Sequence, residues 1–197
     1  MSKLFKNDWF KCITVLLLLA VILGGALAVL NDVLYVSSEE RTARAIKKIY
    51  GTEKEYSITL DVDRGDTAIS NEYGTIEKIY NVGNDLLFKS TGGNGYKNGT
   101  ITLWLKVVKE NGNYVIDKVV LDGYEKQTLM SKFSQSYYDK FLIDVTDSWN
   151  NGSGIFLFSP KDEADKLQNP NTGATKSANA ACNAVNAVIL YLVGGNA

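Results

Sequence analysis

The chain contains no histidine and only two cysteines in 197 residues. Without imidazole, and with Cys12 and Cys182 at opposite ends of the chain, it lacks the ligands for zinc, haem or an iron-sulfur cluster. The same absences exclude a Ser/His/Asp or Cys/His triad. Cys12 opens a hydrophobic run, where it does not fit a lipoprotein processing site, and Cys182 lies among alanines. Both read as small hydrophobes rather than disulfide partners. Charge of one sign is also lacking: 21 basic and 22 acidic residues leave a net charge of −1. Beyond Leu30 there are 18 basic and 21 acidic residues, a mildly acidic balance that offers nucleic acid no electrostatic attraction.

A long apolar run is present, once. Residues 12–30 carry no charge, and at about 1.5 Å per helical residue they match the roughly 30 Å hydrocarbon core of a bilayer. Lys3, Lys6 and Lys11 precede the run, and Asp32, Glu39 and Glu40 follow it. The positive-inside rule then predicts a cytoplasmic N-terminus (residues 1–11), a transmembrane helix (12–30), a juxtamembrane helix or linker (31–54) and an extracytoplasmic domain (55–197). Ala26-Leu27-Ala28 would also suit a signal peptidase, so a cleaved leader competes with the anchor; the run exceeds the roughly 7 to 15 residues of a signal h-region, which favours the anchor.

Ser37 and Glu40 have the spacing of a capping box, and Ala43, Ile46 and Ile49 recur at helical spacing before Gly51. Between residues 55 and 121 the pattern changes to alternation, with Tyr56, Ile58, Leu60 and Val62, then Ile76, Ile79 and Tyr80, Ile101, Leu103, Leu105 and Val107, and finally Val115, Val119 and Leu121. That is the signature of half-buried antiparallel strands. Asn111-Gly112 marks a tight hairpin between two of them. A helix is expected over 131–141, with Phe133, Tyr137 and Phe141 at spacing four, and a short buried strand over 154–158. From Ser177 onward, Ala178, Ala181, Cys182, Val185, Val188 and Leu192 form one stripe, and Asn179, Asn183 and Asn186 lie on another face. The expected fold class is therefore α+β: one N-terminal transmembrane helix, then a single domain with an antiparallel sheet and packed helices.

Few motifs carry chemistry. The glycines between 92 and 99 lack dinucleotide-binding spacing. Asp61 and Asp63 read as a solvated strand edge rather than an acid/base pair. Asn98-Gly99-Thr100 and Asn151-Gly152-Ser153 fit a glycosylation pattern that is frequent by chance. No independent catalytic centre and no metal site emerge. What stands out is Thr172-Gly173-Ala174-Thr175, placed immediately before the last helical run. A hydroxyl can accept a phosphoester, and a helix N-terminus offers amide hydrogens and positive partial charge to a phosphate. Gly173 and Ala174 keep the approach small. The plainer alternative is that Thr175 or Ser177 simply caps the helix.

The tetrad and its setting resemble the flavinylation motif of FMN-binding domains. The similarity extends over roughly residues 70 to 192. The stretch Gly93-Asn94-Gly95-Tyr96-Lys97-Asn98-Gly99-Thr100-Ile101 resembles the turn that opens the family's central strand, and residues 111–121 resemble the hairpin that follows. Residues 125–130 fall where the family has a Glu-Thr-Pro-Gly-Leu-Gly loop; Glu125 and Leu129 match it, and the proline and both glycines are absent. Asn169 stands where the family usually has Asp.

With the N-terminal helix, the chain is similar to the covalent-flavin subunits of Na+-translocating NADH:quinone reductases and of Rnf-type ion-translocating oxidoreductases. The resemblance implies FMN attached through a phosphoester to Thr175, with Thr172, Gly173, Ala174, Ser177, Asn169, Glu125 and Leu129 around the site. It also implies a flavin transferase during maturation and, as partners, membrane subunits of a redox-driven ion pump. A stand-alone flavoprotein for extracellular electron transfer is the near alternative. An anchored pilin-like structural protein without flavin is the alternative of a different class.

Overall fold

The computed structural model describes residues 8–34, 36–150 and 175–194. The strand expected at 154–158 and the candidate site residues Asn169, Thr172, Gly173 and Ala174 lie outside the described residues. Contacts divide the chain into two units, Met1–Arg41 and Thr42–Ala197.

The first unit is dominated by helix α1 (Asp8–Leu34). Its stretch Lys11–Asn31 has a mean hydropathy of 2.9 and is exposed along its whole length. Exposed leucine and valine on every side of a helix are unfavourable in water and natural in lipid. The helix is thus long and apolar enough to cross a membrane once, which is consistent with membrane anchoring.

Helix α2 (Ser38–Tyr50) begins where the Ser37 hydroxyl accepts the Glu40 amide at 3.1 Å. Glu39 and Glu40 lie in its first turn and Lys47 and Lys48 in its last, each sign placed where the helix dipole favours it. Gly51 ends it at φ 75°, donating to the Lys47 carbonyl at 2.9 Å. The buried positions are Thr42, Ile46 and Ile49. Ala43, expected on that stripe, is exposed, because the 3.6-residue period aligns Thr42 with Ile46 and Ile49 instead.

Six strands follow among the described residues: β1 (Ser57–Asp61), β2 (Ile69–Ser70), β3 (Gly74–Val82), β4 (Asp85–Gly92), β5 (Thr100–Glu110) and β6 (Asn113–Glu125). They form one antiparallel sheet in the order β1-β3-β4-β5-β6, with β2 added along β3. Asn111 (φ 51°) and Gly112 (φ 91°) make the expected β5–β6 hairpin turn; two successive positive φ values match the twist of the strands they join. Bulges explain where simple alternation fails. One between Ile76 and Lys78 lets Ile76 and Ile79 share a face despite their odd spacing. Another, between Ile58 and Leu60, reverses the parity of β1. Asp61 is therefore buried, while Val62 leaves the sheet in a 3-10 turn (Val62–Arg64).

Neighbouring residues on a strand face opposite sides, and each side of this sheet has its own core. Ile79, Phe88, Leu103, Leu105 and Val119 pack with the last helix, α5 (Thr175–Val193). Tyr80, Leu87, Trp104 and Val120 pack with Ile46 and Ile49 of α2. The expected helix over 131–141 is broken into a 3-10 turn (Met130–Lys132), a single turn of α-helix α3 (Gln135–Tyr138) and a second 3-10 turn (Asp139–Phe141). Its aromatics are nonetheless buried, Phe133 and Phe141 meeting Tyr137 edge-on at 4.7 and 5.6 Å. Tertiary aromatic packing thus outweighs helix continuity there. Helix α4 (Val145–Asn150) lies beside β6.

Helix α5 is buried nearly all round: Asn186 is almost as enclosed as the alanine stripe, and Asn183 is also buried. Its close seat on β4 depends on Gly92, where a Cβ would fall 2.1 Å from the Ala180 carbonyl oxygen. Ser90 donates its hydroxyl to the Ala184 carbonyl at 2.8 Å, and Asn71 donates its amide to that of Ala187 at 2.9 Å.

Candidate cofactor site at the start of the last helix

Thr175 is the first residue of α5. The first four amides of any α-helix lack intrahelical acceptors, so this end of α5 presents N–H groups and the positive end of the helix dipole. Lys176, the next residue, is exposed. Two loops come to the same end of the helix. Residues 93–99 connect β4 to β5, and residues 126–130 follow β6.

Polar contacts bind these loops to α5. Asn179 donates to the Asn94 carbonyl at 3.1 Å, and Asn183 to that of Gly93 at 3.0 Å. Gln127 is the hub of the second set. Its Oε1 accepts from the Ser177 hydroxyl at 2.7 Å and from the Tyr96 amide at 3.1 Å, while its Nε2 donates to the Glu125 carbonyl at 2.9 Å. Gly95 and Gly99 leave the room it needs: a Cβ on either would fall within 2.6 Å of the Gln127 amide or of backbone oxygen.

Both loops hold unusual backbone. Asn94, Lys97, Asn98, Lys126 and Leu129 all have φ between 51° and 61°, a region that costs a non-glycine residue free energy. Such conformations persist only where the surroundings impose them, and they concentrate at ligand sites. The same loops and the end of β6 expose large apolar side chains: Tyr96 is 37% exposed, Tyr124 52% and Leu129 50%. Lys97 lies over the Tyr96 ring, 5.5 Å from its centroid.

Of the residues singled out from sequence, Glu125 is exposed at the end of β6 and contributes its carbonyl to Gln127. Leu129 is exposed in a left-handed conformation. Ser177 is buried, with its hydroxyl committed to Gln127. Gln127 itself was not singled out, since nothing in a sequence distinguishes a buried glutamine from an exposed one.

A second polar cluster also escaped the sequence reading. Asp61, expected on a solvated edge, is buried against the equally buried Lys78, at 3.0 Å. Lys78 also pairs with Asp63 at 2.7 Å; the Tyr80 hydroxyl donates to Asp61 at 2.5 Å and lies 3.2 Å from the Thr42 hydroxyl of α2. Burial, then the Asp61 hydrogen bond, pushes the Tyr80 phenol up to about 12. Burial lowers the Lys78 pKa, but hydrogen bonds to Asp63 and Asp61 outweigh it and raise the pKa above its ordinary value. The cluster is a satisfied structural network that joins α2 to the sheet.

Beneath α5, Tyr137 and Tyr138 are buried without an ordinary hydrogen-bond partner among the described residues. The Cys182 sulfur is the weak neighbour of Tyr137. Burial raises both phenols far above their usual range, so they stay neutral at physiological pH and supply no base. No group of three or more acidic or cysteine side chains among the described residues could hold a metal ion.

Lys97 and Lys126 lie in the two loops and Lys176 in the first turn of α5, while Tyr96, Tyr124 and Leu129 leave apolar surface exposed on those loops and at the end of β6. The chain matches no protein-family model, no curated protein and no solved structure.

Proposed function

We propose that this chain is a membrane-anchored electron-transfer flavoprotein carrying FMN through a phosphoester on Thr175. The observation that carries the reading is the coincidence of the Thr-Gly-Ala-Thr tetrad with the start of α5, whose first residue is Thr175. A phosphate there would meet amides that lack intrahelical acceptors and the positive end of a helix dipole. In this reading Thr172, Gly173, Ala174 and Asn169 form the recognition segment for a flavin transferase. Ser177 and Glu125 position the loops, and Leu129 supplies apolar surface. The isoalloxazine ring brings the redox chemistry; the chain supplies attachment, orientation and a partly apolar surrounding.

In this reading the domain lies outside the cytoplasm, which the lysines before the apolar helix support through the positive-inside rule. A tether is useful there, because a released cofactor would diffuse away. The partners are membrane subunits of an Rnf- or NQR-type ion-translocating oxidoreductase, which pass electrons through the flavin.

The test is attachment. Attachment would form a bond from the Thr175 oxygen to the flavin-side phosphorus of a flavin dinucleotide donor and break the donor's pyrophosphate bond, with loss of the hydroxyl proton and departure of a nucleoside monophosphate. Full-length protein co-expressed with a flavin transferase should gain the mass of one FMN less one water and stay fluorescent after denaturing electrophoresis. Thr175→Ala should abolish the label without loss of fold. Wild-type protein that takes no flavin beside an active transferase would refute the proposal and leave Thr175 as a helix cap.

A further inference from the structure

We propose that Gln127 is a positioning residue that locks the first turn of α5 to both neighbouring loops, and so sets the orientation of the Thr175 backbone that the flavin reading requires. Its three hydrogen bonds engage three separate chain segments: Ser177 of α5, Tyr96 of the 93–99 loop and Glu125 at the end of β6. The side-chain amide has only one orientation that satisfies them, because its oxygen meets two donors and its nitrogen one acceptor. Gln127 is buried, so water does not replace a lost partner, and each unmade bond leaves a desolvated polar group.

Two glycines border this side chain and the backbone it holds. A Cβ on Gly95 would lie 2.5 Å from the Gln127 Nε2 and 2.6 Å from the Gly99 carbonyl oxygen, and one on Gly99 would lie 2.1 Å from the Glu125 carbonyl oxygen and 2.4 Å from the Gln127 Nε2. The same loop carries Asn94, Lys97 and Asn98 in left-handed backbone. Such a loop needs an external constraint to hold one shape, and Gln127 is the side chain that grips its middle, at the Tyr96 amide. Ser177 lies two residues after Thr175 on the same helix, so the grip acts within one turn of the proposed attachment point.

The experiment uses the full-length chain in detergent or nanodiscs, first without flavin. Hydrogen exchange is followed in peptides covering 93–99 and 176–182, with 103–107 of β5 as the internal reference. Gln127→Met removes all three bonds at similar volume, and Ser177→Ala removes one. Asn71→Ala is the control, since it also removes three hydrogen bonds, one to the far part of α5 at Ala187 and two from the Tyr73 and Gly74 amides, none of them to either test peptide. Exchange in both test peptides should rise about tenfold in Gln127→Met and less in Ser177→Ala, with the reference peptide unchanged and the control quiet at 93–99. Unchanged exchange, or an equal rise in all peptides, overturns the positioning role.

The labelling arm then asks whether the grip serves attachment. The initial rate of flavin transfer should fall about tenfold in Gln127→Met and stay near wild type in Asn71→Ala. An equal loss in both would reflect general destabilisation and refute the role. This arm rests on the flavin reading, whereas the exchange arm does not; wild-type protein without flavin would sink that reading and leave the exchange result to stand on its own.

Discussion

Gly92→Ala tests the arrangement on which the candidate site depends, the close seat of α5 on β4. A Cβ at residue 92 would lie 2.1 Å from the Ala180 carbonyl oxygen, 2.2 Å from the Ala184 nitrogen and 2.9 Å from its Cα. All three are backbone atoms, so no rotamer change relieves the clash. Since ordinary contact begins at 3.4 Å, the helix must withdraw by about 1 Å, and a gap of that size forfeits up to half of each dispersion contact along the interface. Withdrawal also strains the Ser90 bond to Ala184 and the Asn183 bond to Gly93. Overpacking of this kind costs about 3 kcal/mol, which for a domain of this size lowers Tm by about 6 to 12 °C. Gly92 has no positive φ, so the cost arises from packing and not from backbone strain. Gly123→Ala, whose Cβ meets nothing within 4 Å, is the matched control and should stay within about 0.5 kcal/mol of wild type. The assay is urea unfolding of the full-length protein in detergent, followed by tryptophan fluorescence. If Gly92→Ala unfolds like wild type, α5 does not sit on β4 as described.

Two further outcomes follow from the other face of the sheet. Tyr80 and Lys78 both hold their protons to higher pH in the folded state than in the unfolded one, so their stabilisation is complete below about pH 10; the Tyr80 share is lost as pH rises from there through about 12, and the Lys78 share follows at still higher pH. Tyr80→Phe should flatten this alkaline decline in unfolding free energy, and identical slopes for variant and wild type would show that Tyr80 does not contribute. Ile46→Ala should cost about 2 to 5 kcal/mol by opening a cavity between α2 and the sheet. A neutral result in urea titration would remove α2 from the core.

Helix α1 was legible because its signal is local: an uncharged stretch of bilayer length needs no knowledge of its neighbours. The same holds for the Asn111-Gly112 hairpin, whose backbone demand is met by two residues, and for the alternation that marked the strands. Alternation misled where a bulge intervened. At Ile58 and Leu60 one shift of register moved Asp61 from the expected solvated edge to the interior, and no residue type announces a bulge. The helix expected at 131–141 failed for a related reason, since its aromatics pack equally well on broken turns. At the candidate site, Thr175 was legible as a residue before a helical run. Gln127 was not, because its importance lies in contacts 31 and 50 residues away in the chain.

The sequence by itself determined the class of the protein: one apolar helix of membrane length, a chain without imidazole or paired thiols, antiparallel strands, and a hydroxyl-bearing tetrad ahead of a final helix. Each of these is written in the identity and spacing of neighbouring residues, which fix backbone preference and solubility directly. Only the tertiary structure decided that α2 belongs to the sheet's second core, that Asp61 and Lys78 neutralise one another inside it, and that a glutamine joins two strained loops to the start of α5. The polar contacts in those arrangements join residues 17 to 50 positions apart; they form because burial makes an unpaired polar group costly, and which groups are buried together is settled only when the whole sheet has closed on its helices.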